Sequence, residues 1–482
     1  MSLSKSKFIS GMQCDKRLYL EVRRPELVEY DEAVEARLAA GHAVNDVARA
    51  LHPGGVLIEL DDGTDAAVKA TRQLMKHPGT PPYIFEATFK HGDVVVRTDV
   101  LKRTPGGCAV TEVKSSGEIK DYHYQDCAVQ AWVVEGAGYT VRRMELAHID
   151  SSFVYPGGGD YRGLFKVNNV TADIRALKKE VPARVKRFLR MLKGREPRKD
   201  VGPHCHEPFD CPFLDHCTPP QPHYPLSCLY RSGADLRTAL AAEGYQDVRD
   251  IPPGRLSNPT LERIRRITAS GVAERTGEAK RHLRRLSYPR YYLDFETIAF
   301  AVPIWKGTRP YQALLFQWSC DIEKKGGDIH HAEFLDITGE APMRGAVEAL
   351  LKTLGGSGPI FAYHHYEKII LGELAKAYAD LRSGIEAVIG RLVDLEELTR
   401  NSYYHPDMMG SWSIKNVLPT IRPDLDYANL DVQDGGMARQ AYLEAIHPET
   451  PRARRQEIHR QLLDYCARDT WGMVELIRFL SQ

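Results

Sequence analysis

Asp294 and Glu296 stand two apart in YYLDFET, and Tyr465 and Asp469 stand four apart in LLDYCARDTWG. Residues i and i+2 share one face of a strand, and i and i+4 share one side of a helix. Carboxylates gathered this way can hold divalent cations, the arrangement that two-metal phosphoryl chemistry uses. A second set lies earlier. Asp99 ends the run VVVRTD, and thirteen residues later Glu112 and Lys114 flank Val113 in TEVKSS. Alternation puts Glu112 and Lys114 on one strand face, where two carboxylates suit Mg²⁺ or Mn²⁺ and a lysine can stabilise a phosphate. A third set is Cys205, Cys211 and Cys217, spaced C-x5-C-x5-C. A tetrahedral thiolate site needs a fourth ligand, and Cys14 is the obvious donor. Each set has a bland alternative. Surface hairpins carry such charges constantly, and buried cysteines are often small hydrophobes.

These residues need elements to position them. YIFEATFKHGDVVVRTDVLKRTPGGCAVTEVKSS reads as three strands separated by the turns KHGD and RTPGG, and DYHYQDCAVQAWVVEGAG as a helix stopped by glycine. Residues 173–200 have helical spacing, with 11 Lys/Arg against 4 Asp/Glu. The proline-rich TPPQPHYP marks a boundary. Short helices follow to about residue 288, and residues 255–290 carry 10 Lys/Arg against 3 Asp/Glu. From about 289, RYYLDFET, QALLFQWSCDIE, IHHAEFLDI and GPIFAYHH read as strands, and GAVEALLKTLGG and EKIILGELAKAYADL as helices. The expected fold is multidomain α/β: residues 1–220, a helical connector over 221–288, and residues 289–482.

The chain has 482 residues, a net charge of +1, 43% apolar and 27% charged residues, and nine cysteines. Ordinary globular usage excludes a disordered, collagen-like or coiled-coil protein, and near-neutrality excludes a bulk polycation. The opening MSLSKSKFISGMQC lacks an apolar signal-peptide core. No run of about 18 apolar residues is present. A cytoplasmic, reduced protein is the expectation, with no membrane partner and clustered cysteines binding metal.

The second set, in its surroundings, resembles the RecB-type PD-(D/E)XK nucleases found in AddB and the CRISPR-associated RecB-like exonucleases. The resemblance implies Asp99, Glu112 and Lys114 as catalytic residues, with Asp99, Glu112 and His42 (in LAAGHAVNDVA) toward metal. The family's helical Q-x-x-x-Y element has no Tyr here; HYQDCAVQAWVV offers Gln125 and Gln130, and Gln130 is expected toward nucleic acid. Glu86 in FEATF is a further ligand or a surface charge. Relatives with an iron–sulfur staple place one cysteine before the core and three after it, so the resemblance implies a [4Fe–4S] cluster on Cys14, Cys205, Cys211 and Cys217. Zinc is the alternative, and His204, His206 and His216 can substitute for a thiolate.

The C-terminal part resembles DnaQ-like 3′–5′ exonucleases of the RNase H fold, DEDDy subgroup. That implies Asp294, Glu296 and Asp469 as metal ligands and Tyr465 as the orienter of water. Glu367, in PIFAYHHYEKIILGEL, stands where that family has Asp. Ser413 and Lys415 in GSWSIKNVLPTI resemble an S-x-K segment that contacts the strand backbone. His364, His365 and His405 are alternative bases or structural residues. The middle segment loosely resembles helix-hairpin-helix pairs, whose turn amides bind phosphates; a plain connector is the competing reading.

In order, the whole chain resembles a family of RecB-like nucleases fused to an RNase H-like domain. The implied function is a Mg²⁺- or Mn²⁺-dependent nuclease with two sites. It would act on DNA, ahead of RNA, at ends or single strands, in repair, recombination or defence. No Walker motif is present, so unwinding would come from a partner helicase or other repair or defence protein. Two competitors stand: a single-site nuclease whose second domain only grips nucleic acid, and a non-catalytic nucleic-acid-binding adaptor.

Overall fold

The computed structural model describes residues 2–28, 32–77 and 79–482. It is mixed α/β and divides into two compact units, one of Met1–Pro219 with Ala299–Gln312, the other of Pro220–Ile298 with Ala313–Gln482.

The first unit is built on a seven-stranded sheet. Its centre is an antiparallel meander of Tyr83–His91, Val94–Thr104 and Gly107–Lys114. The two tight turns need a left-handed residue, supplied by Gly92 (φ 55°) and Gly106 (φ 70°). The helix Asp121–Gly136 then carries the chain over to Val141–Ile149, which pairs parallel with Gly107–Lys114. The middle of that helix is buried on nearly every side because it lies within the core: Cys127, Ala128, Val129, Val133 and Val134 are fully buried. Phe188 of the helix Arg175–Leu192 packs edge-on against Phe8 of the helix Lys5–Gln13. Residues 299–312 belong to this unit through Tyr155, which donates its amide to the Thr308 carbonyl and accepts from the Gly307 amide.

The second unit holds a five-stranded sheet in the spatial order Ile329–Leu335, Leu314–Glu323, Arg290–Ile298, Ile360–Ala362, Leu392–Asp394. In chain order that is 3-2-1-4-5, with the first three antiparallel and the last two joined in parallel. The long helix Arg452–Ser481 packs on the central strands through a buried face that includes Leu462, Cys466, Met473 and Ile477. The segment expected as a separate connector does not stand apart. Leu240, Ile264 and Leu283 share one core with Tyr292, Phe361 and Val474. Its short helices are too small to bury their apolar faces against one another, so they complete the core of the second unit instead. Among the described residues no helix is long and apolar enough to cross a membrane.

Candidate functional site

In the first unit the meander brings Asp99 beside Glu112. The Val113 amide donates to Asp99 Oδ2 at 2.7 Å, which pins that carboxylate to the neighbouring strand. Glu112 is almost fully buried. Its Oε1 accepts from Lys114 Nζ at 2.8 Å and from Lys5 Nζ at 2.6 Å, and its Oε2 accepts from Gln130 Nε2 at 2.6 Å. Lys114 Nζ also pairs with Asp126. Asp126 and Gln130 lie one turn apart on the helix Asp121–Gly136, so a single helix face holds both Lys114 and Glu112. Burial would raise the Glu112 pKa, but the Lys114 and Lys5 ammonium groups hold it below the usual carboxylate range. Asp99, buried beside ionised Glu112, is pushed up to about 8.

Three expectations for this region change. Gln130 does not face nucleic acid: it is fully buried, and its amide orients Glu112. Among the described residues His42 has no part in this hydrogen-bond network. It is exposed on the helix Glu32–Ala50, because Val44, two residues on, is the side that packs into the core. Glu86 adopts a left-handed backbone (φ 54°) within its strand, which breaks the alternation that would align it with Asp99. Its carboxylate pairs with Arg97 at 3.2 Å instead. Lys5 and Asp126 were not foreseen. Lys5 is too far from the motif in sequence to be associated with it, whereas the i, i+4 pair Asp126 and Gln130 was visible in HYQDCAVQAWVV.

Cys14, Cys205, Cys211 and Cys217 line one small pocket with Leu20 and Phe213. Cys14 caps the helix Lys5–Gln13 at its C-terminus. Gln13 donates from Nε2 to the carbonyls of His204 (2.8 Å) and Phe209 (2.7 Å), tying that helix to the cysteine loop. His206 and His216 turn to carboxylates, Asp210 and Glu196. Cys108, Cys127, Cys228, Cys320 and Cys466 are buried.

In the second unit, ligand atoms of Asp294, Glu296 and Asp469 all lie within 4.8 Å of one another. Among the described residues this is the one such set of three His, Cys, Asp or Glu groups, so no three cysteine sulfurs approach that closely. The strand Arg290–Ile298 supplies two carboxylates and the helix Arg452–Ser481 the third. Tyr427 Oη donates to Asp469 Oδ1 at 2.6 Å. Cys466 Sγ lies 3.4 Å from Asp294 Oδ2. Tyr465 is buried, with its ring centroid 6.2 Å from that of Tyr427. Lys415 Nζ sits 5.1 Å from the Tyr427 ring centroid and 5.4 Å from that of Tyr465, and donates to the Gln433 carbonyl at 2.8 Å. Glu367, in the first turn of the helix Tyr366–Ala377, stands beside the trio rather than within it. It is buried, and one of its oxygens, Oε2, has no hydrogen-bond partner. Ser413 is exposed and donates to Asn416 Oδ1. His405 caps a turn by accepting the Asp407 amide, and His364 and His365 pack ring on ring. Tyr427 and Arg439, a cation acting on Glu296, were missed, since nothing in their local sequence ties them to YYLDFET.

The charges explain one another. Burial and then the neighbouring Asp469 push Glu296 to about 8; burial pushes Glu367 to about 8 and Asp469 to about 6, the latter restrained by Tyr427 and Lys415. Asp294 is raised well above the carboxylate range by burial and by Asp469, Glu296 and Glu367. Unfolded carboxylates titrate near about 4. The folded protein therefore binds more protons between the two values. Stability from these groups is fully present below about pH 4 and lost as pH rises through about 8. Without added metal, the melting temperature should be several degrees lower at about pH 8.5 than at about pH 5.5, and Mg²⁺ should raise it far more at the higher pH. Differential scanning calorimetry in chelated and Mg²⁺ buffers checks this; equal Mg²⁺ shifts at both pH values would contradict it.

Residues 291–413 match a domain family described as a domain of unknown function (DUF2779). The match contains Asp294, Glu296 and Glu367 and ends before Lys415, Tyr465 and Asp469. No curated protein matches the chain.

Proposed function

We propose that the protein is a metal-dependent nuclease with two phosphodiester-hydrolysing sites, one in each unit. The observation that carries the reading is the convergence of Asp294, Glu296 and Asp469 from a central strand and a long helix into a space the size of one cation's ligand shell. A divalent cation supplies Lewis acidity toward the phosphodiester and neutralises its charge. The chain's own groups do the rest. Tyr427 fixes the Asp469 carboxylate, Lys415 offers a positive charge beside the buried Tyr465, and the role proposed for Tyr465 is to orient a water. The 3-2-1-4-5 strand order, with the first strand central and carrying two carboxylates, supports an RNase H-like reading of this unit.

In the first unit Asp99 and Glu112 offer oxygen donors, with Lys114 held beside them by Asp126. This supports a PD-(D/E)XK-type site, in which Lys114 stabilises charge on the phosphate. The four cysteines support a staple between the N-terminal helix and the loop 203–217. The order of the cysteines, one before the core and three after it, supports an iron–sulfur cluster ahead of a zinc on the same ligands. Cys14→Ser should then unfold the first unit as completely as Cys211→Ser, because site assembly is coupled to folding. Iron content, visible absorption and limited proteolysis report this; a colourless protein with one zinc and native protease resistance would rule the cluster out.

The position of Glu367 favours one other reading, in which the second unit grips nucleic acid and only the first cuts. Comparing the wild type with Lys114→Ala and Asp294→Ala on end-labelled single-stranded DNA and RNA, with Mn²⁺ or chelator, decides: if Lys114→Ala abolishes all cleavage, the second site is idle. Metal-dependent shortening of either by the wild type supports the nuclease reading. Binding with no cleavage of any substrate would leave an adaptor.

A further inference from the structure

Two lysines meet on one oxygen of Glu112. Lys114 and Lys5 both donate to Oε1, at 2.8 Å and 2.6 Å, while the Gln130 amide occupies Oε2. Both lone pairs of Oε1 are thereby taken, so a cation that uses this oxygen must displace a lysine, and the three donors on the carboxylate are not equally held. Gln130 is fully buried on a core helix. Lys114 is anchored a second time by Asp126, and its side chain is 16% exposed. Lys5 has Glu112 as its one hydrogen-bond partner among the described residues, and its side chain is 23% exposed. Its backbone is nonetheless fixed. The helix Lys5–Gln13 is capped by Ser4, buries Phe8 and Ile9, and is tied at its far end through Gln13. A fixed backbone with a flexible four-carbon stem lets the ammonium swing while the helix stays in place.

We propose that Lys5 is a second active-site lysine of the first unit: its ammonium occupies Glu112 until a divalent cation takes that carboxylate, and it then turns to the substrate phosphate. The inference rests on the nuclease reading given above. It makes the metal-free site self-neutralising, since Lys5 and Lys114 balance Glu112 and Asp126 in a space where an unpaired carboxylate would be costly. It also makes cation binding an exchange, so the affinity measured for the cation is reduced by the strength of the Lys5–Glu112 pair.

The test uses the full chain with Asp294→Asn, which weakens the second unit's cation site, and titrates Mn²⁺ alone by calorimetry. Lys5→Met should bind Mn²⁺ about tenfold more tightly at the first site, because the competing charge is gone. Lys5→Gln should tighten it in the same direction, and Lys5→Arg should stay near the parent. With saturating Mn²⁺ and single-stranded DNA, Lys5→Met should raise KM by about tenfold more than Lys5→Arg does, reflecting a lost phosphate contact. Unchanged or weaker Mn²⁺ binding by a natively folded Lys5→Met protein overturns the proposal. So does loss of native circular dichroism by both Lys5→Met and Lys5→Gln, which would make Lys5 a purely structural counter-ion. Tighter Mn²⁺ binding in a protein whose wild type cuts neither DNA nor RNA supports the exchange and overturns the nuclease reading, so the two failures are distinguishable.

Discussion

Asp294→Asn should reduce metal-dependent cleavage by the second unit by about 10²–10³-fold and at the same time raise the melting temperature of the metal-free protein near neutral pH. Both effects come from one piece of geometry. Asp294 shares its 4.8 Å neighbourhood with Glu296 and Asp469 and feels Glu367 as well. Like charges that close resist ionising together, so the folded protein holds protons at neutral pH that the unfolded chain would release. An amide removes one charge from the cluster, relieves the repulsion and keeps the shape, but it is a poorer ligand for a hard cation. The stability gain should vanish when Mg²⁺ is added, because the wild type then regains what the repulsion cost. Cleavage is read in a background whose first site is silenced by Lys114→Met, so that the remaining activity belongs to one unit. A variant that loses activity and stability together would show that Asp294 is a structural residue.

The elements were legible because local rules set them. Alternation with two glycine turns marked the meander, and the shift to β/α alternation after residue 289 marked the second sheet. Pairs close in sequence were legible too: Glu112 with Lys114 and Asp294 with Glu296 owe their shared faces to strand periodicity alone. What was hidden depended on which way an element turns once packed. Gln130 sits on a helix whose polar residues Asp126 and Gln130 are buried along with its apolar ones, so the core claimed the side expected to meet substrate. His42 was assigned by resemblance, but packing of Val44 put it on the solvent side. Lys5, Tyr427 and Arg439 reach their carboxylates through contacts 107, 42 and more than a hundred residues distant, where sequence spacing carries no signal. The connector reading failed for the same reason. Its composition marked it as helical, but only the folded second unit reveals that its leucines complete that unit's core.

Lys114→Met should abolish cleavage by the first unit and cost it stability as well, the opposite pairing to Asp294→Asn. Lys114 lies between Glu112 and Asp126, both buried, and pairs with each. Its removal leaves Asp126 buried without its hydrogen-bonded cation and Glu112 with Lys5 and the Gln130 amide. Breaking a buried pair from one side typically costs about 3–5 kcal/mol, because an uncompensated charge stays behind. The two losses are separable. Adding Asp126→Asn to Lys114→Met removes the orphaned charge, so the double variant should recover much of the melting temperature but none of the cleavage. Lys114→Arg keeps the charge but brings a planar fork to a site built for a compact ammonium, so it should retain more stability than activity. If Lys114→Met/Asp126→Asn regained cleavage along with stability, Lys114 would be only the counter-ion of a structural network, and the catalytic charge of the first unit would have to come from Lys5.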